Sequence, residues 1–464
     1  MSFLHSADWQ IGKPYARVQD PDKRARLRQV RIEAIARIGA QIEASQASFL
    51  LVAGDLFDSP TPNSSDVSAV CQAIGKLPLP VLVIPGNHDH GAPGSVWHSP
   101  FFQAEQPRRA PNLRVLLERE PLELAQAILL PCPLLRRSDS DDPCAWLRHL
   151  DWGELPPQKP RILLAHGSVH GFAGADLDAD EENPASANNR LQLDDGLLQQ
   201  LDYVALGDWH GLKQVNPRSW YSGTPEPDRF PRNDDYRGGQ VLAVTAQRGQ
   251  LPQVQPLPTA RLHWLQLRVE LNGVADLERL ERQLEQQLGD EPGQQLLLLE
   301  QSGSLSLEGH QRYQQLLERL EAQLLRLKRR GHCGTSPDPT ELAELTGRAD
   351  DPLIARVAAD LQQQLVSGSD DPRPAPWCSK PWRNCTAVWG HRHAPDQLPP
   401  APGAPARRSG GALRASTDAD RRSQRSGQEH PGGGVAQSPV SARHRHRPRR
   451  GGPALAPACR PAGD

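Results

Sequence analysis

Five short apolar segments of this chain each end at residues that can bind a metal ion or transfer a proton. Apolar runs bounded by glycine and polar residues are typical of buried β-strands. The segments and the residues that follow them are 3–7 with Asp8, 48–53 with Asp55, 80–84 with Asn87 and His88, 161–165 with His166, and 201–206 with His210. Because ligands of α/β proteins collect beyond the carboxyl ends of the strands, these residues predict one shared site.

The densest of these motifs is Gly86-Asn87-His88-Asp89, which directly follows an apolar run. An amide, an imidazole and a carboxylate on one tight turn can bind a metal ion, donate a proton and supply an orienting hydrogen bond. Alone, these residues would most simply be a polar turn, and the other strand ends are what favour a site.

Taken in order, the motifs resemble the calcineurin-like metallophosphoesterase superfamily. The flanking segments 5–9, 54–58 and 221–226 are similar to those of its DNA-repair exonuclease branch, the SbcD-like nuclease subunits. The resemblance implies an α/β fold: a four-layer metallophosphoesterase sandwich of two mixed β-sheets flanked by helices. A small α+β capping domain and a disordered C-terminal tail would follow.

The resemblance also implies roles for the residues at the strand ends. Asp55 would bridge two divalent ions, because a bridging ligand must be anionic and reach both. Asp8 and His210 would bind the first ion, and Asn87 and His166 the second.

His88 and Asp89 would be the catalytic residues of this site. His88 would stabilise the transition state or protonate the leaving oxygen, and Asp89 would fix the tautomer of its ring. Asp58 and His5 are interpreted as supporting hydrogen-bonding residues rather than as ligands.

The sequence departs from the superfamily at two expected metal ligands. Gln10 stands where a histidine usually follows the first aspartate, and Asp208 stands where the first histidine of Gly-His-x-His is usual. Amide and carboxylate oxygens favour Mn²⁺, with Mg²⁺ as the second choice, over softer ions. The substitutions leave open whether both metal positions fill completely.

Composition and patterning divide the chain into four parts. They are a catalytic domain over 1–250, a proline-rich linker over 251–258, a capping domain over 259–366 and a disordered tail over 372–464. Strands and helices alternate in the predicted capping domain, and its second helix is expected to continue through Leu327 and end at Gly331.

A helix is predicted over residues 21–45, because apolar residues recur there at helical spacing. Basic residues crowd its first turns: Lys23, Arg24, Arg26, Arg28 and Arg31. They are interpreted either as a solvated helix face or as a patch that contacts phosphates beside the site.

The body of the chain is acidic and its tail is basic. From Pro372 onward there are 16 Lys and Arg and 5 Asp and Glu, against 37 and 50 before it. Contact with nucleic acid would therefore rely on local patches and metal ions. The tail is either a genuine disordered extension or the product of a frameshift near residues 370–377. Residues 381–390, read one nucleotide earlier, permit an amphipathic helix that ends in glycine.

We expect a metal-dependent phosphodiesterase that hydrolyses DNA, an exonuclease subunit in DNA repair. The alternatives are a catalytically weak metal-binding subunit of a repair complex, favoured by Gln10, and a phosphoesterase for nucleotides or other small molecules. The resemblance implies DNA ends and an SbcC-like ATPase as partners and leaves a homodimer open. Seven cysteines without a Cys-x-x-Cys pair, no leader and no membrane-length apolar run indicate a cytoplasmic protein without membrane contact.

The composition of the tail leads to a first prediction. Truncation after Asp371 should leave the melting temperature and hydrolysis nearly unchanged, because residues 372–464 lack the apolar content to offset the entropy of ordering. Thermal unfolding and a phosphodiesterase assay of both lengths test this. A clear loss of either property would contradict both explanations of the tail.

Overall fold

The computed structural model describes residues 1–138, 140–169, 189–231 and 236–367. The predicted tail, 372–464, and the frameshift hypothesis attached to it lie outside the described residues. Within the described ranges, every helix is too short or too polar to cross a membrane.

The first of two large sheets contains the strands that precede the N-terminal motifs. Its six strands are β1 (Ser2–Ser6), β2 (Leu50–Ala53), β3 (Val81–Ile84), β4 (Leu113–Val115), β13 (Gln240–Thr245) and β14 (Gln253–Pro258). They lie in the order β14–β13–β1–β2–β3–β4. The sheet is parallel from β1 to β4 and antiparallel on the β13 side, so it is mixed, as predicted.

The second large sheet contains the strands that precede the two later motifs. Its six strands are β5 (Leu122–Glu123), β6 (Ile128–Cys132), β7 (Arg161–His166), β10 (Tyr203–Gly207), β11 (Lys213–Asn216) and β12 (Ser219–Tyr221). They lie in the order β11–β12–β10–β7–β6–β5, parallel in the centre and antiparallel at both edges. Two short strands, β8 (Ser168–Val169) and β9 (Arg190–Leu191), pair just beyond β7.

The two sheets pack face to face through buried apolar side chains, among them Phe3, Leu51, Leu164 and Tyr203. The outer face of the first sheet is covered by α1 (Pro21–Ser45), α2 (Ser64–Ile74) and α3 (Pro100–Arg109). The outer face of the second is covered by α4 (Asp195–Gln200) and a 3₁₀ helix at Ala145–His149. Further 3₁₀ turns lie at Val96–His98 and Pro292–Gln294. This layering confirms the predicted α/β sandwich.

The helix α1 has the limits that the sequence predicts. The Asp20 side chain accepts hydrogen bonds from two backbone N–H groups of the first turn, and Pro21 begins the helix, the usual N-terminal pattern. Gln46 ends it in the left-handed conformation, with φ 52°. The predicted apolar face is buried: Ile38 and Ile42 pack against the first sheet, whereas Leu27 and Val30 belong to a separate apolar cluster.

The basic residues of α1 differ in burial, and both interpretations of them are wrong for Arg31. Its guanidinium is buried, with 3% of the residue exposed. It donates hydrogen bonds to the carbonyl oxygens of Trp9 at 2.8 Å, Glu226 at 3.0 Å and Asp8 at 3.2 Å. Arg31 therefore joins the loop after β1 to the segment after β12.

The residues predicted as a linker belong to the first sheet. β14 pairs antiparallel with β13, from Gln240 opposite Pro258 to Thr245 opposite Gln253. The prolines that suggested a linker are tolerated because β14 is an edge strand and needs no N–H donor on its open side. The sheet of the catalytic region thus extends to Pro258.

The chain after β14 forms a third sheet, which is parallel. Its elements are β15 (His263–Leu271), α5 (Val274–Leu288), β16 (Gln295–Leu305), α6 (Leu307–Gln323), β17 (Arg326–Gly331) and β18 (Gly334–Thr335). α5 and α6 bury their leucine faces on this sheet. Leu296 and Leu298 of β16 belong to a second cluster with Leu27 and Val30 of α1. The helices α7 (Pro339–Thr346) and α8 (Pro352–Ser367) follow and pack together.

The prediction that the second helix of this region continues to Gly331 is wrong. α6 ends at Gln323, and the residues that follow pair with β16 as the strand β17. Leu320, Leu324 and Leu327 keep helical spacing across the boundary, but a short apolar pattern does not distinguish the last turn of a helix from a following strand.

His5, interpreted as a supporting residue, is fully buried in β1. Its Nδ1 lies 2.9 Å from the Tyr203 hydroxyl and its Nε2 lies 3.2 Å from the Leu206 carbonyl oxygen. A neutral imidazole satisfies both contacts, since Nε2–H donates to the carbonyl and Nδ1 accepts from the hydroxyl. Burial lowers the pKa of His5 to about 3, against the opposing effect of the Leu206 contact.

The buried hydrogen bonds of Arg31 predict a large loss of stability on its removal. Arg31→Met should lower the free energy of unfolding by about 3 kcal/mol or more, because several buried carbonyl groups lose their donor. Arg26→Met, on the same helix, should cost about 1 kcal/mol or less, since Arg26 makes a half-exposed pair with Glu33. Urea denaturation of both variants tests this, and equal losses would contradict it.

The lowered pKa of His5 predicts a specific pH dependence. The folded pKa of about 3 lies below the ordinary value of 6.5, so stability is complete above pH 6.5 and declines as the pH falls toward 3. This residue should account for a loss of about 2 kcal/mol between pH 7 and pH 5. His5→Gln offers a donor and an acceptor without titrating, so its free energy of unfolding should fall by about 2 kcal/mol less than that of wild type over this range. Urea denaturation with a chelator present measures the difference, and parallel losses would contradict it.

Candidate metal centre

The loops after β1 and β2 stay paired beyond the ends of their strands. The backbone N–H of Asp8 donates to the Gly54 carbonyl oxygen at 3.1 Å, and that of Gln10 donates to the backbone carbonyl oxygen of Asp55 at 2.9 Å. Asp8 and Asp55 adopt left-handed backbone conformations, with φ of 55° and 54°, which aspartate tolerates better than most residues. The two carboxylates therefore lie side by side at the carboxyl edge of the first sheet.

Glycines allow the ends of the two sheets to approach each other at this edge. A Cβ atom on Gly54 would overlap the His166 ring, and one on Gly86 would overlap the Asp55 carboxylate. Gly54 also has φ 87°, a left-handed value that glycine adopts without strain. The motif glycines are therefore needed for the geometry of the site.

Asp8, Asp55 and His166 form the centre of the site. One ligand atom from each lies within 4.8 Å of the others, and all three residues are buried. The His166 Nδ1 donates to the Ala53 carbonyl oxygen at 2.8 Å. In the neutral ring this contact fixes the tautomer, so that Nε2, 3.7 Å from Asp55 Oδ2, offers its lone pair to a metal ion once its proton is displaced.

Asn87 brings a further donor atom to the same point. Its Oδ1 lies 3.0 Å from His166 Nε2 and faces acceptor atoms only. Rotating the amide would instead place its nitrogen 3.0 Å from both His166 Nε2 and Asp55 Oδ2. Acceptor atoms that converge in this way need either an N–H donor, as in the rotated amide, or a cation between them. If a cation is bound, the Asn87 side-chain oxygen is the atom that would contact it.

Asp208 joins this group from the end of β10. Its Oδ1 lies 3.8 Å from His166 Nε2, and its Oδ2 accepts a hydrogen bond from the Ser168 hydroxyl at 3.0 Å. Its backbone N–H donates to the Asp8 carboxylate at 3.2 Å. Asp208 therefore adds an anionic oxygen next to His166, on the more open side of the site.

The pKa values reflect this concentration of negative charge. Burial, helped by the neighbouring Asp55 and Asp208 carboxylates, raises the pKa of Asp8 to about 8 against the opposing attraction of His166. Burial lowers the pKa of His166, but the surrounding carboxylates outweigh it and raise that pKa to about 9. Burial also raises the pKa of Asp55, but nearby imidazoles outweigh it and hold the value below the ordinary one. The centre is therefore built to hold positive charge.

His210 and Gln10 lie together on the other side of the site. The Gln10 Nε2 is 3.2 Å from His210 Nε2, so the amide nitrogen faces the imidazole. The His210 Nδ1 is 3.0 Å from Asp228 Oδ2 and 2.9 Å from an Arg229 nitrogen. Burial raises the pKa of Asp228, but Arg229, His210 and Lys13 hold it well below its ordinary value.

His88 lies at the rim, with 26% of its side chain exposed. Its backbone N–H donates to Asp55 Oδ1 at 2.9 Å, and its Nδ1 lies 3.0 Å from the Asp58 carbonyl oxygen. Burial lowers the pKa of His88, but Asp55 and Asp58 outweigh this and raise it. Because Asp58 engages Nδ1, Nε2 is the ring atom that can reach a substrate.

The predicted role of Asp89 is wrong, because Asp58 is the residue that orients His88. The Asp89 carboxylate is fully buried and accepts hydrogen bonds from the backbone N–H groups of Gly86 at 2.7 Å and Phe57 at 3.1 Å. It joins two loops of the site instead. Spacing along the turn could not distinguish these roles.

Sequence reasoning missed two residues that support the site, Lys13 and Asp228, and misassigned a third, Arg31. Asp228 is fully surrounded by polar partners, which include the Tyr236 hydroxyl at 3.3 Å. Its only signal was its position two residues beyond the segment 221–226. Lys13 gave no signal, because a single basic residue is usually exposed, and the basic cluster around Arg31 suggested an exposed face rather than a buried guanidinium.

The donor set fits divalent cations. Asp55, Asn87 and His166 offer a carboxylate, an amide oxygen and an imidazole whose tautomer is already fixed. Asp8 and Asp208 add anionic oxygens beside them. This is a mixture that suits Mn²⁺ or Mg²⁺ better than softer ions.

Comparison with known proteins agrees with this geometry. A family model described as calcineurin-like phosphoesterase matches residues 1–237. The chain is 23% identical over 266 residues to the SbcD subunit of the SbcCD nuclease of Staphylococcus epidermidis, a match that covers 53% of this chain and 66%, just under two thirds, of that relative. A solved crystal structure matches 56% of this chain and 98% of its own at 12% identity, with a TM-score of 0.33, which is too weak to bear on the fold.

Proposed function

This chain belongs to the calcineurin-like phosphoesterase family, and we propose that it hydrolyses phosphodiester bonds at DNA ends as the nuclease subunit of a repair complex. The prediction of a phosphoester hydrolase is confirmed at the level of the family. The observation that carries the proposal is the convergence of Asp55, Asn87 and His166, with His88 at the rim. The similarity to a subunit of the SbcCD nuclease supports DNA as the substrate.

The ligands are proposed to divide between two positions that share Asp55. Asn87 and His166, with Asp208 nearby, would hold one ion, and Asp8 and His210 the other. Divalent ions bound there would neutralise charge on the phosphate and lower the pKa of water. We propose Mn²⁺ as the metal because the donor set combines imidazole with hard oxygen ligands.

His88 is proposed to act on the leaving group. Its raised pKa increases the share of the imidazolium form, which can donate a proton from Nε2 to the departing oxygen. The Asp58 carbonyl oxygen holds the opposite nitrogen at 3.0 Å, so the ring keeps one orientation. The hydrogen bond from the His88 backbone to Asp55 links this acid to the metal ligands at a fixed spacing.

The partner and the compartment are proposed by analogy with the relative. Its name identifies it as one subunit of a two-component nuclease, and we propose an SbcC-like ATPase as the partner of this chain, in the cytoplasm. The capping region over residues 259–366 would restrict which substrates reach the site, because its sheet packs against α1. The alternative of a catalytically weak metal-binding subunit is favoured by one observation, the amide nitrogen of Gln10 that faces His210.

Two substitutions test the proposed function. His88→Ala should leave Mn²⁺ affinity intact while it lowers the hydrolysis rate by ~10²–10⁴-fold, the usual contribution of a positioned acid. Asp55→Ala should abolish both, because the proposed bridging carboxylate has no substitute. The measurements are calorimetric Mn²⁺ titration and hydrolysis of linear DNA and of bis-p-nitrophenyl phosphate.

The control and the outcomes separate the candidate functions. His332→Ala removes an exposed histidine of the capping region and should change neither quantity. Hydrolysis of the small ester without hydrolysis of DNA would support the small-molecule alternative. Mn²⁺ binding without hydrolysis of either substrate would support the weak subunit.

A further inference from the structure

Lys13 is a charged residue inside the site whose role the family assignment does not explain. It lies in the loop after β1, and only 13% of its side chain is exposed. Its ammonium donates to Gln10 Oε1 at 3.1 Å and to Asp228 Oδ2 at 2.9 Å. Lys13 therefore contacts two of the residues that neighbour His210, Gln10 and Asp228.

These contacts leave Gln10 poorly arranged to bind a metal ion. The amide oxygen is the only ligand atom of its side chain, and that oxygen accepts from Lys13. The amide nitrogen lies 3.2 Å from His210 Nε2, the atom that would bind the ion. Binding there would require Gln10 to rotate and give up both contacts.

The two histidines of the site are prepared differently for metal binding. His166 Nδ1 donates to a carbonyl oxygen, which leaves Nε2 as the acceptor. His210 Nδ1 lies near both the Asp228 carboxylate, which favours the same tautomer, and an Arg229 nitrogen, which favours the opposite one. His166 is therefore fixed as a ligand, whereas the tautomer of His210 is contested.

The charges near the two positions also favour metal binding at His166 over binding at His210. Asp55 and Asp208 lie within 4 Å of His166 Nε2. Beside His210, the Asp228 carboxylate is shared with Lys13 and Arg229. A fixed cation in a site shielded from water repels a divalent ion strongly.

We propose that the two metal positions are unequal, and that Lys13, through its charge and its hold on Gln10, keeps the Asp8–His210 position weak. The position of Asn87 and His166 binds its ion without help. This inference rests on the proposed function and concerns the same site. Lys13 acts as a positioning residue, because it works through Gln10 and Asp228.

The test is the stoichiometry of Mn²⁺ binding to the metal-free full-length chain, measured by equilibrium dialysis and calorimetry. Wild type should bind one ion tightly and a second at least ~10-fold more weakly. In EPR, two ions that share a bridging carboxylate are exchange-coupled, so the coupled signal should appear only at high Mn²⁺. This readout does not depend on activity.

Substitutions at Lys13 separate its charge from its packing. Lys13→Met keeps the apolar stem and should tighten the second ion ~10-fold or more, while it changes the first by much less. Lys13→Arg keeps the charge and should leave the second ion weak. Lys76→Met removes an exposed lysine elsewhere and should change neither ion.

Gln10→His extends the series. Imidazole binds first-row transition ions more strongly than an amide, so this variant should tighten the weaker ion, with a larger gain for Mn²⁺ than for Mg²⁺. The gain should be smaller in the Lys13→Met background, because Gln10 Oε1 is then already released from Lys13 and able to bind the ion. Equal gains in both backgrounds would show that Lys13 does not act through Gln10, which overturns that part of the proposal.

The remaining outcomes are equally decisive. Two ions of equal affinity in wild type, or no change in Lys13→Met, would overturn the inference and leave the proposed function standing. No Mn²⁺ binding at either position would overturn the proposed function itself. If Lys13→Met fails to fold, the wild-type stoichiometry and the Lys13→Arg variant still decide the question.

Discussion

The structure is organised around a group of carboxylates held away from water. Asp8 and Asp55 are almost completely buried, and buried carboxylates without compensation are strongly destabilising. Part of the compensation is present in the protein, from the His166 imidazole and from the backbone N–H groups of His88 and Asp208. The remainder is what a divalent cation would supply. The left-handed backbone at Asp8, Asp55 and Asp208 is consistent with this, since strained conformations persist where the surrounding structure enforces them.

Much of this arrangement could be predicted from the sequence, because the strands and their ends carry strong local signals. An apolar run that stops at glycine and a polar residue marks both the strand and its carboxyl edge, and Asp8, Asp55, Asn87 and His166 all follow such runs. Parallel pairing in the first sheet brings the ends of β1, β2 and β3 together, and the packing of the two sheets places His166 beside them. The order of the motifs indicated the family, and the family resemblance in turn implied the sandwich of two sheets flanked by helices. The length of α1 was equally predictable, since its cap and its apolar spacing agree.

The remaining features depend on contacts between residues far apart in the chain, and the sequence carries no local signal for them. Arg31 is buried because carbonyl groups from two loops surround it, whereas the same residue type five positions earlier, Arg26, is half-exposed. The proline-rich stretch before residue 259 is typical of a linker, but it pairs with the edge of β13 and forms the strand β14. The pairing of β17 with β16 interrupts an apparent helix in the same way. In each case tertiary pairing decided between local conformations of similar propensity.

One short segment after β12 connects the capping region to the candidate metal ligands. Thr224 and the Glu226 carbonyl oxygen accept hydrogen bonds from Arg31, which also holds the loop of Asp8. The Glu226 carboxylate accepts from the backbone N–H groups of residues 261 and 262, where the capping region begins. Two residues further, Asp228 contacts His210. Movement of residues 261–262 would therefore have to break these buried bonds or carry the segment with them. The His210 side of the site, which we propose binds its ion more weakly, is thus joined to the start of the capping region through this segment.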